Sequence, residues 1–131
     1  METLFTTRYI TISYYAPKRC LIQTWKAFCS RDEFREAQQK CVELFIEKKC
    51  KNFISDTTNA GLLAKEDTDW AADVITPKLV KAGMTQISMV VPQSVFTKMT
   101  LQNLLKAENT NQNTLLKFFD SLDKAMEDIQ A

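Results

Sequence analysis

The chain opens with an alternation of apolar and small polar side chains that runs from Tyr9 to Tyr14. A period of two residues is typical of a strand with one buried face. The segment Ala16-Pro17-Lys18 then predicts a turn, because proline fixes φ at a value that suits the second turn position. From Cys20 to Trp25 the side chains are again largely apolar, β-branched or aromatic, so the two segments together predict a β-hairpin.

The residues after this hairpin carry the signals of a helix amino terminus. Ser30 and Glu33 have the spacing of a capping box, in which the serine oxygen accepts the glutamate amide and the glutamate side chain reaches back. Cys29 and Phe34 occupy the hydrophobic-staple positions around it. The apolar pattern continues on one helical stripe, at Ala37, Cys41, Leu44 and Phe45. Lysines at positions 48, 49 and 51 suit the far end of a helix dipole, so a long helix is predicted here.

The rest of the chain alternates short apolar runs with amphipathic segments. The predicted strands are Asn52 to Asp56, Ile87 to Val91 and Leu115 to Phe119. The predicted helices run from near Ala64 to Gly83, between Ser94 and Ala107, and from a cap at Asp120 or Ser121 onwards, and Glu108 to Asn113 reads as a polar loop. Because proline lacks the amide that a helix needs, Pro77 predicts a kink, or two short helices joined at Thr76.

The predicted order of elements is ββαβαβαβα. Strands that alternate with helices favour right-handed crossovers, which produce a mostly parallel sheet covered by helices. The opening hairpin makes one edge antiparallel. We therefore predict an α/β fold with a mixed, mostly parallel five-stranded sheet. A chain of 131 residues has the length of one domain, so residues 1–131 are expected to form a single one.

A set of short segments stands in an order that is similar to a known family. The segments are Trp25-Lys26-Ala27-Phe28, Phe34-Arg35, Ser55-Asp56-Thr57, Glu66-Asp67-Thr68-Asp69-Trp70, Pro77, Ala82-Gly83, Val90-Val91-Pro92 and Val95-Phe96. Together with the element order they resemble the SpoIIAA-like fold, which STAS domains (anti-sigma-factor antagonists) share with CRAL-TRIO lipid-binding domains. The closer resemblance is to small STAS-like bacterial proteins that are widespread in Bacteroidetes. It covers roughly residues 8 to 130 and implies one STAS-like domain with the SpoIIAA-like fold.

Composition and charge narrow the classes of partner. The 17 basic and 16 acidic residues nearly cancel to a net charge of +1, so no basic field is present to hold nucleic acid. The apolar runs are far shorter than the roughly 20 residues that cross a bilayer, so stable membrane insertion is not expected. The first residues have no signal-peptide pattern, and the four cysteines are not closely paired. We therefore expect a cytoplasmic protein.

The residue types also argue against most catalytic chemistry. The chain contains no histidine, which is the commonest general base and metal ligand. Its two glycines, Gly61 and Gly83, cannot supply a P-loop or a dinucleotide fingerprint. No base, nucleophile and orienting group can be named together. We therefore predict no enzyme activity, no catalytic residues, no cofactor and no metal site.

The sharpest site hypothesis concerns Asp56, Thr57 and Thr58, at the carboxyl end of a predicted parallel strand. Open α/β sheets place ligand sites at this edge. In anti-sigma-factor antagonists, the corresponding loop carries an aspartate and a phosphorylated serine, so the resemblance implies a phosphoacceptor or binding loop at Thr57 or Thr58. The usual Asp-Ser-Ser-Gly pattern of that family is missing here. Aspartate and threonine are also ordinary turn residues.

Two further sets of residues are candidates for binding. Trp70 follows three acidic residues, Glu66, Asp67 and Asp69, and reads either as a core aromatic or as the wall of a ligand groove. The acids suit the first turn of a helix and need no cation to explain them. The opening hairpin is loaded with large aromatic side chains, at Tyr9, Tyr14, Tyr15, Trp25 and Phe28. An exposed edge strand of this kind favours self-association, as a homodimer, or docking of a protein partner.

These observations favour a non-enzymatic regulatory or protein-interaction module of STAS-like type. The alternative is a small-ligand or lipid carrier with a pocket near Trp70 and the Thr57 loop. The volume of the interior discriminates between the two hypotheses. An apolar cavity of roughly 300 Å³ or more favours a ligand, whereas a filled core with an exposed apolar patch favours a protein partner.

Overall fold

The computed structural model describes residues 1–61, 63–101, 108–109 and 114–129. In chain order the strands are β1 Glu2–Thr6, β2 Ile10–Tyr15, β3 Cys20–Trp25, β4 Asn52–Asp56, β5 Gln86–Val90, β6 Glu108–Asn109 and β7 Leu115–Phe119. Within the described residues, these strands form one mixed sheet of seven strands in the order β1-β2-β3-β4-β5-β7-β6. The pairs β1–β2, β2–β3 and β6–β7 are antiparallel, and β3–β4, β4–β5 and β5–β7 are parallel. The α/β class and the opening hairpin are confirmed.

The prediction of five strands is wrong, because β1 and β6 were not foreseen. β1 is exposed or half-exposed at every residue and is held by its pairing with β2, so it lacks the buried face that makes a strand visible in a sequence. β6 has two residues and lies in a segment that reads as a polar loop. The rest of that loop, and the predicted helical residues 102–107, lie outside the described residues.

Five helices accompany the sheet in the described part of the chain. They are α1 Arg31–Glu47, α2 Lys65–Trp70, α3 Thr76–Lys81, α4 Gln93–Leu101 and α5 Leu122–Asp128. The predicted capping box starts α1, since the Glu33 amide donates to Ser30 Oγ at 3.2 Å and the Ser30 amide donates to Glu33 Oε1 at 2.9 Å. None of these helices is both long and apolar enough to cross a membrane.

The predicted interruption at Pro77 takes the form of a π-helical turn. Residues Ala71–Ile75 are π-helical and join α2 to α3, which begins at Thr76. Pro77 has no amide hydrogen to continue the ordinary ladder. The wider turn lets the Thr76 amide donate to the Ala71 carbonyl, five residues back, and the Thr76 hydroxyl donates to the same oxygen at 3.4 Å. The segment from α2 to α3 therefore continues as one helical rod with a local change of pitch.

Helices cover both faces of the sheet. On one face, which we call the front, α1 and the α2–α3 segment pack on alternate strand residues such as Leu21 and Phe53. On the other face, the back, α5 packs through Ala125 and Ile129 on the neighbouring strand residues, such as Ile54. This alternation follows from the period of two along each strand. The sheet thus separates two apolar clusters, and the front cluster is the larger.

Candidate ligand-binding site

The predicted loop at the end of β4 is a tight polar turn. Asp56 Oδ1 accepts a hydrogen bond from the Thr58 amide at 3.0 Å, the turn geometry that aspartate favours. The Thr57 hydroxyl donates to the Val90 carbonyl at 2.8 Å, and the Thr57 amide donates to the same oxygen at 2.9 Å. Thr57 is therefore tied to the end of β5, whereas Thr58 is exposed. The phosphoacceptor hypothesis stays a prediction, and the accessible hydroxyl in this loop is that of Thr58.

A large apolar cavity lies beside this loop, on the front of the sheet. Its volume is about 460 Å³. Strands β3, β4, β5 and β7 form its floor, and α1 and the α2–α3 segment form its walls. The apolar floor side chains include Phe53, Ile87, Met89, Leu116 and Phe118. A cavity of this size lies within the range of small-molecule sites, and well above what packing defects leave in a domain.

The helical wall of the cavity carries several small side chains. Thr68, Ala71, Ala72 and Thr76 all line it from the α2–α3 segment. Alanine and threonine reach only a short distance from a helix axis, so at these positions the described residues leave space between the wall and the strands. The described lining residues include no Asp, Glu, Lys or Arg. This wall and floor suit an apolar molecule.

A buried polar network lies at the β3 side of the cavity, and Gln23 is its centre. Gln23 Oε1 accepts hydrogen bonds from Trp25 Nε1 at 3.0 Å and from Ser55 Oγ at 2.7 Å. Gln23 Nε2 donates to Gln38 Oε1 at 2.8 Å and to Cys41 Sγ at 3.2 Å. The Gln23 side chain is thereby fully satisfied, as a buried amide must be. Gln23, Trp25, Ser55 and Gln38 also line the cavity, so they give an otherwise apolar chamber one polar corner.

The thiol in this network is unreactive. Burial raises the pKa of Cys41 to about 12, while the hydrogen bond from Gln23 acts in the opposite direction. A thiol that stays protonated at neutral pH is neither a nucleophile nor a metal ligand. All four cysteines are free and buried. Cys41 therefore serves the site by packing and by accepting one hydrogen bond.

Trp70 does not form the groove that the sequence suggests for it. Its ring lies against the guanidinium of Arg35, with the central carbon of Arg35 4.8 Å from the ring centroid. The cavity wall is formed instead by the next residues, Ala71 and Ala72. The cavity nevertheless lies in the region that the sequence suggested, between this helix and the Thr57 loop, since Thr57 lines it.

Ion pairs fix the start of the wall helix to α1. Arg31 Nε donates to Asp67 Oδ1 at 2.9 Å, and Arg31 also donates to Glu66 at 3.0 Å. Asp67 is buried, and Arg35 Nε lies 3.8 Å from the same carboxylate oxygen. The acids at positions 66 and 67 therefore pair with arginines across the gap between α1 and α2. They hold the wall at a set distance above the sheet.

The aromatic hairpin residues do not form a common exposed edge. β1 pairs with the outer side of β2, so the predicted exposed edge strand is not observed there. Trp25 is 2% exposed and stacks on Phe34, with ring centroids 5.2 Å apart, and Tyr9 is also buried. Tyr14 and Tyr15 are half-buried, and Phe28 is 69% exposed. The interface hypothesis stays a prediction. Of its five residues, Tyr14, Tyr15 and Phe28 are accessible to a partner.

Sequence reasoning missed the two glutamines of the site, although both left a signal. Gln38 lies on the helical stripe of Phe34, Cys41 and Phe45, where every other member is apolar. Gln23 occupies the same strand face as Leu21 and Trp25. A polar residue on an apolar stripe must find a partner when it is buried. Two such residues on facing elements predict a buried pair, which is what Gln23 and Gln38 form.

Comparisons of the chain with protein-family models, with curated proteins and with solved structures find no match. The STAS-like resemblance accordingly stays a prediction about the family.

Proposed function

We propose that this protein binds a small apolar molecule in the front cavity and acts as a carrier or a sensor of it. The observation that supports the proposal is the cavity itself, about 460 Å³ in volume and bounded by apolar side chains with one polar corner. Ligand sites are mostly apolar clefts with a few placed polar groups. The volume exceeds the roughly 300 Å³ at which a ligand is favoured over a filled core.

The position of the cavity supports the same reading. It runs along parallel strands β4 and β5 and reaches their carboxyl edge at the loop that begins at Thr57. Open α/β sheets bind ligands at this edge. An empty apolar space of this size also costs stability, because the lining atoms lose their contacts. A bound apolar molecule would restore them.

The protein-interaction role, with its STAS-like regulation, is the second reading and lacks a comparable observation. Large apolar side chains are exposed in the described structure, but they are spread over it: Met1, Phe28 and Ile46 lie on different segments, and Val95 and Leu101 both lie on α4. Single exposed apolar residues are normal on protein surfaces. The absence of a nameable nucleophile and base likewise favours binding over catalysis as the proposal.

The proposal is tested by filling the cavity. The neutral probe N-phenyl-1-naphthylamine, which fluoresces in apolar surroundings, is titrated into the wild type and into Ala71→Leu. Ala71 lines the cavity, so three added carbon atoms would occupy ligand space. The matched control is Ala64→Leu, at the exposed first residue before α2, which does not line the cavity.

The expected result is saturable binding by the wild type and by Ala64→Leu, with affinity reduced at least tenfold in Ala71→Leu. Thermal unfolding of each variant checks that the fold is intact. Equal affinity in all three proteins would place the probe elsewhere and contradict the proposal, as would a wild type that binds none.

A further inference from the structure

The orientation of the Gln23 and Gln38 side-chain amides follows from the indole N–H of Trp25, which can donate a hydrogen bond but cannot accept one. Trp25 Nε1 carries a hydrogen and has no lone pair for a hydrogen bond. Its 3.0 Å contact must therefore be with the oxygen of Gln23, and the Gln23 nitrogen must face the other way, towards Gln38. Because that nitrogen donates, the Gln38 atom 2.8 Å away is its oxygen. The side-chain nitrogen of Gln38, Nε2, then lies at the end of the series of hydrogen bonds that runs from Trp25 through Gln23 to Gln38.

Gln38 Nε2 is a hydrogen-bond donor that no described residue uses. Gln38 is 7% exposed and lines the cavity. Among the residues that the structure describes, none accepts a hydrogen bond from its Nε2, whereas its oxygen is used by Gln23. An unused amide donor on a residue that lines an apolar cavity of ligand size is one of the few polar groups by which such a site can orient a ligand.

Ser55 offers a complementary acceptor near this donor. Its hydroxyl donates to Gln23 Oε1 at 2.7 Å, so its hydrogen is used while its oxygen still has lone-pair capacity. Ser55 is buried and lines the cavity. Both Gln38 and Ser55 bond to the Gln23 amide, so the donor and the acceptor belong to the same polar corner of the cavity.

We propose that the ligand is a neutral, largely apolar molecule with one hydroxyl or carbonyl oxygen, which accepts a hydrogen bond from Gln38 Nε2. A hydroxyl ligand also donates to Ser55 Oγ. This inference rests on the proposed function of the cavity. An anionic ligand such as a fatty acid is disfavoured, because none of the described lining residues is a cation that could pair with it, and an unpaired buried charge is costly.

The experiment uses four bicyclic probes of nearly equal size: tetralin, α-tetralone, α-tetralol and 1,2,3,4-tetrahydro-1-naphthoate. Binding is followed by the fluorescence of Trp25, which lines the cavity. The chain has two tryptophans, so a Trp70→Phe background leaves Trp25 as the single reporter. The quantity of interest is the ratio of the tetralin Kd to the tetralone Kd, because a ratio cancels any general change in the cavity.

The decisive variant is Gln38→Met, and its matched control is Gln39→Met. Methionine keeps the length of glutamine and a weak acceptor for Gln23, but it has no donor. Gln39 is the exposed neighbour on the same helix and accepts a bond from Lys78 at 3.3 Å. The ratio is expected to fall about fivefold to tenfold in Gln38→Met and to stay unchanged in Gln39→Met. The carboxylate probe is expected to bind more weakly than all the others.

Ser55→Ala provides a second readout that does not depend on the Gln38 variant folding. Removal of this acceptor is expected to weaken α-tetralol about threefold to tenfold relative to α-tetralone, which has no proton to donate. If no probe binds the wild type, the proposed function itself fails. If tetralin and tetralone bind with the same ratio in the wild type and in Gln38→Met, the cavity remains a binding site and the inference about the ligand oxygen is overturned.

Discussion

The two halves of the front layer are built from the same sheet and differ in how they fill the space above it. Under the carboxyl-terminal part of α1, large side chains are fully buried, and Phe45 packs near Phe53, with ring centroids 6.3 Å apart. Under the α2–α3 segment, four of the wall residues are alanines or threonines, and the described residues leave about 460 Å³ open.

This difference shows how one layer can supply both stability and a binding site. The α1 half has the dense packing that stabilises a domain. The α2–α3 half has fewer side-chain contacts with the sheet and contains the cavity. The π-helical turn between α2 and α3 lies in the open half, and such turns are frequent at functional sites. Gln23 connects the halves, since it bonds both to Gln38 on α1 and to Ser55 beside the cavity.

The largest expected effect is on the free energy of unfolding when one phenylalanine ring is removed from each half. Phe45→Ala removes a fully buried ring and is expected to lower the free energy of unfolding by about 3 to 5 kcal/mol. Phe118→Ala, on the cavity floor, is expected to cost less than about 2 kcal/mol because this half-buried ring has fewer atoms around it. Urea unfolding measures both values. Equal costs would mean that the two halves are packed alike.

The next effect concerns the connection between the halves. Gln23→Leu leaves Trp25 Nε1 and Ser55 Oγ without their acceptor, and is expected to lower the free energy of unfolding by about 1 to 3 kcal/mol. The control Gln39→Leu, at an exposed position, should change it by no more than about 0.5 kcal/mol. Urea unfolding again provides the measurement. A neutral Gln23→Leu would show that the network contributes nothing to the fold.

A smaller effect is expected at the start of α1. Ser30→Ala removes the side chain that accepts from the Glu33 amide and should lower the free energy of unfolding by about 1 kcal/mol. Because Ser30 does not line the cavity, affinity for a cavity probe should stay the same. A large loss of binding in this variant would show that the packed half and the open half are energetically coupled, contrary to the comparison.

The smallest effect is a dependence of stability on pH. The hydrogen bond from the Ser30 amide, followed by the positive charge of Arg8, keeps the pKa of Glu33 below its ordinary value in the folded protein. A carboxyl group with a lowered pKa contributes stability above its unfolded pKa and loses it as the pH falls through the folded pKa. Glu33→Gln should therefore lose less stability than the wild type between neutral and acidic pH, as thermal unfolding across that range would show. An identical acid-side decline would contradict this.

Much of the fold could be predicted from the sequence, because local patterns determine it. The predicted bounds Cys20 to Trp25, Asn52 to Asp56 and Leu115 to Phe119 coincide with β3, β4 and β7. The capping box at Ser30 and the interruption at Pro77 are also observed. These features depend on neighbours in the chain. β1 was missed because its stability comes from pairing with β2 across the sheet rather than from its own pattern.

The site was harder to predict, because a cavity is defined by what is missing. Ala71 and Ala72 look like ordinary helix residues, and only the fold brings them together with strand residues such as Ile87 and Leu116 around one cavity. The vicinity of Thr57 was foreseen from the general rule about parallel strands. The sequence suggested Trp70 as the wall of a ligand groove, whereas the cavity is lined by the next residues, Ala71 and Ala72. A large aromatic side chain suggests a binding role from sequence alone, and an alanine does not.

The most direct test of the central claim, that a ligand occupies the open half of the front layer, is methionine-methyl NMR during a titration with tetralin. Met89 lines the cavity, whereas Met126 packs against the cluster on the back of the sheet. The account predicts that the Met89 methyl resonance shifts in a saturable manner while that of Met126 stays in place. An unmoved Met89 resonance, or equal shifts of both, would contradict it.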